Sequence, residues 1–232
     1  MTSTVAPAHK PHVIYPTLLR MGHRFETSIG QRLAVDGFYG AMDFAFGGDG
    51  WFYVLNRRDF IPFDKLRPKV RLAVCNIDDE FRTNVEPLID GKPQSSGEVS
   101  GSELYESPVF CDSDLQGSLF FTDERANKVV TMTTDRGDVT AAWGETGEGP
   151  GELNAPSGIS YLKDDTLWIV STRSSLVQQF TRTGEFIGGF GSVGKAPGQL
   201  DHPWGVDVDP IDGSIVVADW RNDRVQRFSP EG

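Results

Sequence analysis

The sequence predicts an all-β protein, a β-propeller of four-stranded antiparallel blades, with four blades legible. Three observations carry this. Short apolar runs of alternating character are bounded by Gly, Pro, Asn and Asp, the pattern of strands joined by tight turns. The runs recur as a unit: Asp123, Ser171 and Asp219, which end the second strand of successive copies, stand 48 residues apart (171 − 123 and 219 − 171). Four-stranded units at a period of about 40–50 residues are the signature of propeller blades. Finally, no stretch shows a 3.6-residue helical period.

Residues 1–12, rich in Pro, Thr and Ala, read as an unpacked tail, and 13–232 as the partial propeller. Val13–Tyr15 and Gln31–Val35 have strand character and are candidates for the outer strand of a closing blade. The first blade, about 39–90, is degenerate: Met42–Phe46, Phe52–Asn56 and Val70–Asn76, with Asn56 lying 67 residues before Asp123. A long corner, residues 57–68, separates its second and third strands, and long loops on a rigid scaffold often carry function. A Gly/Ser segment, 90–101, leads to the second blade (about 104–145), with strands at Leu119–Asp123, Lys128–Thr131 and Val139–Trp143. The third blade (146–191) runs through Pro156–Tyr161, Leu167–Ser171, Leu176–Phe180 and Phe186–Phe190. In the fourth (192–232), Gly205–Asp209, an Asp212-Gly213 turn, Ile215–Ala218 and Val225–Phe228 form a meander, and the chain stops where a fourth strand is due. That stop suggests further blades beyond Gly232.

These units resemble the NHL-repeat family of propellers. Gly149-Pro-Gly-Glu-Leu before Pro156-x-Gly, Pro197-Gly-Gln-Leu before Pro203-x-Gly, and Val217-Ala-Asp followed by Asn222-Asp-Arg-Val carry the resemblance. It is strong over 147–232, fair over 106–146 and weak over 39–90. It implies a propeller that closes with six blades, of which four are legible here, and it implies a fold more than a function.

Composition narrows the function. The net charge of −11 and the lack of a basic run beyond Arg57-Arg58 disfavour nucleic acid, whose phosphates require basic neutralisation. No run reaches the length of a membrane span, and the N-terminus lacks the apolar core of a signal peptide, so a cytoplasmic protein that meets no membrane is expected. Cys75 and Cys111 fall on different blades, as buried free thiols or as a disulfide.

The Gly144–Gly151 and Gly191–Gly198 loops lack the helix and the Gly-Lys-Ser/Thr of a phosphate loop, and read as inter-blade connections. Asp219, with Asn222 and Arg224, reads as a structural corner. The second copy keeps Asp123 and Asn127 but puts Val129 near the place of Arg224, while the third has Ser171 and needs another arrangement. Two residues past each strand end lie Arg58, Arg125, Arg173 and Arg221. Equivalent corners of a propeller lie on one ring, and guanidiniums gathered there suit an anion; local pairing with Glu124, Asp123, Asp219 or Asp223 is the competing reading. His202, Trp204, Trp220 and Tyr39 sit near the same face and could line a pocket. Trp168, Phe180, Phe190 and Phe228 read as packing between blades.

A looser similarity links the first blade, Leu55-Asn-Arg-Arg58 and its insertion, to the propeller lyases that cleave peptidyl-α-hydroxyglycine. That resemblance implies a zinc enzyme with an essential Arg and Tyr, Arg58 being the candidate arginine. Its histidines do not follow: the residues after the inner-strand prolines are Val109, Ser157 and Trp204, and His9, His12 and His23 are N-terminal. Likeness to the gluconolactonase-type propellers is weaker still. The expected function is a binding module that presents an Arg- and aromatic-bearing face to a protein, peptide or small anionic ligand, with no metal or cofactor. The alternative is a lyase or hydrolase of the amidating type.

Overall fold

The computed structural model describes residues 38, 40–48, 50–57, 70–76, 78, 80–93 and 107–232. The expected N-terminal tail and its strand candidates, Tyr39, Arg58, most of the 57–68 corner and His9, His12 and His23 lie outside the described residues.

The first sheet is a meander of β1 (Ala41–Phe46), β2 (Phe52–Arg57), β3 (Val70–Cys75) and β4 (Phe81–Val85). A two-strand ribbon, β5 (Leu88–Ile89) and β6 (Lys92–Pro93), follows it. The second sheet comprises β7 (Pro108–Ser113), β8 (Ser118–Asp123), β9 (Lys128–Thr133) and β10 (Val139–Trp143). Parallel β11 (Glu145–Thr146) and β12 (Glu152–Leu153) then close a loop into the third sheet. That sheet is β13 (Pro156–Tyr161), β14 (Thr166–Ser171), β15 (Leu176–Thr181) and β16 (Phe186–Phe190). The fourth is three-stranded: β17 (Pro203–Val208), β18 (Ile215–Asp219) and β19 (Arg224–Phe228). The described residues form four blades of a β-propeller, in which β1, β7, β13 and β17 are the inner strands and pack side by side in that order.

The second strand of each middle blade is apolar on both faces because each face meets a different neighbour. In β8, Leu119 and Phe121 join the first blade's Tyr53, Leu55 and Leu72, whereas Phe120 joins the third blade's Ile159, Leu167 and Ile169. In β14, Trp168 and Val170 turn the other way, to Val206, Ile215 and Val217. Burying each of these side chains stabilises the fold by roughly 1.5–3 kcal/mol. Polar bonds pin the inner strands across the same seams: Thr122 Oγ1 donates to the Ser157 carbonyl at 2.6 Å and Thr172 Oγ1 to the Pro203 carbonyl at 2.9 Å. The aromatic residues assigned to packing are found there. Phe190 lies 4.4 Å from Phe228 and 5.7 Å from Trp168, centroid to centroid, and Phe180 lies 5.1 Å from Trp143.

Each inner strand begins with a register shift, at Ala41/Asp43, Pro108/Cys111, Pro156/Ile159 and Pro203/Gly205. A proline cannot donate to the ladder and a bulge increases local twist, so the inner strand starts bent. Its first residue pairs with the strand end: Ala41 with Asn56, Pro108 with Asp123, Pro156 with Ser171, Pro203 with Asp219. The repeat register is therefore a spatial register. In the first blade β2 runs one residue further, to Arg57.

The Gly/Pro loops are inter-blade connections. At their starts, Gly144 (φ +131°) and Gly191 (φ +111°) adopt backbone closed to L side chains, and a Cβ would strike the Asn127 and Ser175 carbonyls. Both cysteines are buried free thiols, and burial pushes the Cys111 thiol well up. Among the described residues no helix is long and apolar enough to cross a membrane. Among the described residues the one helical element is a 3-10 turn at Trp220–Asn222, contained in the fourth blade's corner. It leaves β18 and β19 paired without a register shift.

Candidate functional site

The corners between second and third strands share one construction. The fourth residue past each strand end, Asn127, Ser175 or Asp223, is left-handed, with φ of 51°, 54° and 51°. Backbone bonds tie each corner to the segment entering its own inner strand: Glu124 N–H to Ser107, Thr172 N–H to Ala155, Arg221 N–H to Asp201. Asp219 anchors the fourth corner. It is fully buried, and accepts the Asp201 N–H at 2.7 Å, Arg224 Nε at 2.8 Å, Asn222 Nδ2 at 2.9 Å and Gln226 Nε2 at 3.1 Å. Burial would raise its carboxyl, but these donors hold it below the usual range. Asp123 anchors the second corner, accepting the N–H groups of Ser107, Arg125 and Ala126. In the third corner Ser171 accepts the Asn154 N–H and the Ser174 hydroxyl. One sequence assignment changes. Lys128, not Val129, stands in the place of Arg224: Lys128 pairs with Asp123 as Arg224 pairs with Asp219, and its Nζ donates to the Gly144 carbonyl.

Arg125, Arg173 and Arg221 occupy matching corner positions, and all three are exposed. Among the described residues none makes an ion pair. The nearby acids are engaged elsewhere: Glu124 with Arg57 at 2.8 Å, Asp219 with Arg224, and Asp123 with backbone N–H groups. Trp204 and Trp220 meet at 6.0 Å, Phe110 lies 6.1 Å from Trp204, and the Arg221 guanidinium sits 5.9 Å from the Trp220 centroid. His202 is left-handed (φ +49°) and held by Asp201 through Nδ1 at 2.8 Å. The structure thus gathers Arg221, Trp220 and Trp204, with His202 two residues before Trp204. Among the described residues no ring contact joins Arg125 or Arg173 to these aromatics. Arg58 and Tyr39 lie outside the description.

Phe110 and three inner-strand carboxylates were not singled out from the sequence. Asp43 accepts the Cys111 N–H at 3.0 Å, Asp112 accepts the Tyr161 N–H at 2.7 Å, and the Ser160 hydroxyl reaches Asp207 at 3.3 Å. Each crosses from one blade to the next. Asp112, Ser160 and Asp207 are register equivalents, pairing with Phe120, Trp168 and Val216, three residues before the strand ends. That much was readable in advance; Asp43, displaced by the bulge in β1, was not. Among the described residues no group of three or more His, Cys, Asp or Glu is placed to hold a metal ion.

Burial raises the Asp112 carboxyl; the Tyr161 and Ser113 N–H groups oppose the shift, and the Asp207 and Asp43 carboxylates reinforce it. A carboxyl raised on folding favours the folded state below its unfolded pKa, and that contribution is lost as pH rises through the folded value. Asp112→Asn is therefore expected to denature at higher urea than the parent at pH 7, with the gap closing towards about pH 4. A gap that stays constant with pH would refute the assignment.

Residues 200–228 match the NHL repeat family. Among solved structures the chain is similar to virginiamycin B lyase from Staphylococcus aureus, at 16% identity and TM-score 0.51, over 83% of this chain and 53% of that one. It is also similar to a structural genomics protein of unknown function from Bacteroides thetaiotaomicron, at 12% identity and TM-score 0.56, over 81% and 46%. The chain spans about half the length of each. At such identities the likeness is one of fold. No curated protein matches by sequence. With the repeat matched over β17 to β19, and the same strand register running back through the other blades, the chain is a β-propeller whose fourth blade matches the NHL repeat.

Proposed function

We propose that the propeller is a binding module whose corner face takes an anionic group on a protein, peptide or small molecule. The carrying observation is that Arg125, Arg173 and Arg221 stand at matching corners of three consecutive blades, exposed and, among the described residues, without ion pairs, with Arg221 beside Trp220 and Trp220 beside Trp204. A guanidinium offers a planar fork suited to carboxylate or phosphate, and an adjacent Trp adds apolar contact at small entropic cost. The net charge of −11 repels an anion at a distance, so the attraction has to be local and should survive physiological salt, which screens beyond about 8 Å. For the amidating-lyase alternative, the candidate arginine, Arg58, lies outside the described residues.

Fluorescence anisotropy with a labelled Glu-rich peptide at about 0.15 M salt tests the reading. Arg173→Ala and Arg221→Ala are each expected to weaken binding about tenfold, the scale of one charge-assisted hydrogen bond. Unchanged affinity in both variants would end the proposal.

A further inference from the structure

At the end of the blades opposite the corners, the seam between the second and third blades is filled. Phe120 stacks on Tyr161 with centroids 5.2 Å apart and planes at 10°, and the Arg182 guanidinium lies 5.3 Å from the Phe120 centroid. Arg182 bonds Asp114 at 3.2 Å and Asp165 at 3.0 Å, and the Tyr161 hydroxyl donates to Asp165 at 3.0 Å.

The seam between the first and second blades repeats this backbone pattern with other side chains. Tyr53 stands as far before Asn56 as Phe120 stands before Asp123, so Tyr53 holds the place of Phe120. Ser113 pairs with Leu119 as Tyr161 pairs with Leu167, so Ser113 holds the place of Tyr161. The Thr134 N–H bonds the Gly117 carbonyl as the Arg182 N–H bonds that of Asp165. Likewise the Gly47 N–H bonds the Trp51 carbonyl as the Asp114 N–H bonds that of Ser118. The phenol, the guanidinium and both carboxylates of one seam are thus Ser, Thr and two Gly in the other. What remains is a cavity of about 240 Å³, lined by Gly47, Tyr53, Ser113, Gly117 and Thr134 among others. None of the described residues that line it is charged. Tyr53 is 6% exposed, and its hydroxyl makes no hydrogen bond among the described residues.

We propose that this cavity binds a small uncharged molecule with one aromatic ring and a hydroxyl, which stacks on Tyr53 as Tyr161 stacks on Phe120. An engineered apolar cavity of about 150 Å³ admits benzene, so about 240 Å³ has room for a substituted ring. Stacked aromatic rings gain more than their area burial alone provides. The hydroxyls of Tyr53 and Thr134, which line the same cavity, can each bond the hydroxyl of the ligand. A charged ligand is disfavoured, because no opposite charge lines the cavity to offset its desolvation.

The probe is p-cresol, which has the atoms of the Tyr161 side chain. Titrated into the 232-residue chain and followed by protein NMR, it is expected to bind with a dissociation constant of about 1 mM or below. The amide signals of residues 47, 48 and 113–118 should shift. 4-Methylcyclohexanol, with the same hydroxyl and no flat ring, should bind about fivefold more weakly. Ser113→Tyr supplies the missing ring from the chain itself and should abolish binding. Thr134→Met, at a half-buried position outside the core, should fill part of the cavity and weaken binding about tenfold with unchanged circular dichroism. No binding of p-cresol up to about 10 mM overturns the proposal. So do equal affinities for the two alcohols, or an affinity that Thr134→Met leaves unchanged.

Discussion

Asp219→Ala is expected to lower the stability of the protein by about 3–5 kcal/mol, the scale for removing one member of a buried, hydrogen-bonded ion pair. Asp219 is the only carboxylate in reach of the Arg224 Nε among the described residues, and it also receives the Asp201 N–H, the Asn222 amide and the Gln226 amide. Alanine leaves those donors facing a void in the corner. It also frees the loop from 195 to 201, which Arg224 clasps through the carbonyls of Lys195, Ala196 and Gln199. Because the Asp219 carboxyl is held below its usual range, its contribution is present above the unfolded-state pKa and lost as pH falls through the folded value. The parent and the variant should therefore converge in strong acid. An unfolding free energy for the variant, from urea denaturation, within about 1 kcal/mol of the parent at pH 7 would contradict the structural role.

Phe120→Ala should cost a comparable amount, about 3–5 kcal/mol. Phe120 is fully buried between the second and third blades, stacked on Tyr161 at 5.2 Å and 10°, with the Arg182 guanidinium 5.3 Å from its centroid. Arg182 in turn bridges the blades by bonding Asp114 at 3.2 Å and Asp165 at 3.0 Å. Truncation opens a cavity under both partners, and the flanking strands can collapse into it only by breaking their own ladders. Phe120→Leu should recover most of the loss, since it keeps the seam filled. If alanine and leucine proved equally mild in denaturation experiments, the blades would not be held by side-chain packing at this seam.

Much of the architecture was readable because a repeat states the same fact several times. The spacing of Asp123, Ser171 and Asp219 placed three corners in register, and the structure aligns them through equivalent pairings with Pro108, Pro156 and Pro203. The Asp219 corner was legible for the same reason, since Asp, Asn and Arg in that order satisfy a backbone that strand pairing leaves open. What escaped the sequence lies at single positions shifted by one residue. Lys128 was passed over in favour of Val129 because the strand begins one residue earlier than its apolar run. The short helical turn at Trp220–Asn222 follows from closing a tight corner, not from any periodicity.

The sequence by itself determined the strand order, the blade period and the side of each strand that carries its apolar residues, because these follow from local alternation and turn chemistry repeated along the chain. Only the tertiary structure decided which acids would pair with which arginines, and therefore that Arg125, Arg173 and Arg221 stand clear while Arg57 and Arg224 do not. It alone brought Phe110 to Trp204, and Asp112 to Asp207, from blades almost a hundred residues apart. The physical reason is that alternation is a property of neighbours along the chain. Pairing and exposure depend on what a neighbouring blade places opposite: Val129 is fully buried, whereas Val225, at the matching register, is 67% exposed.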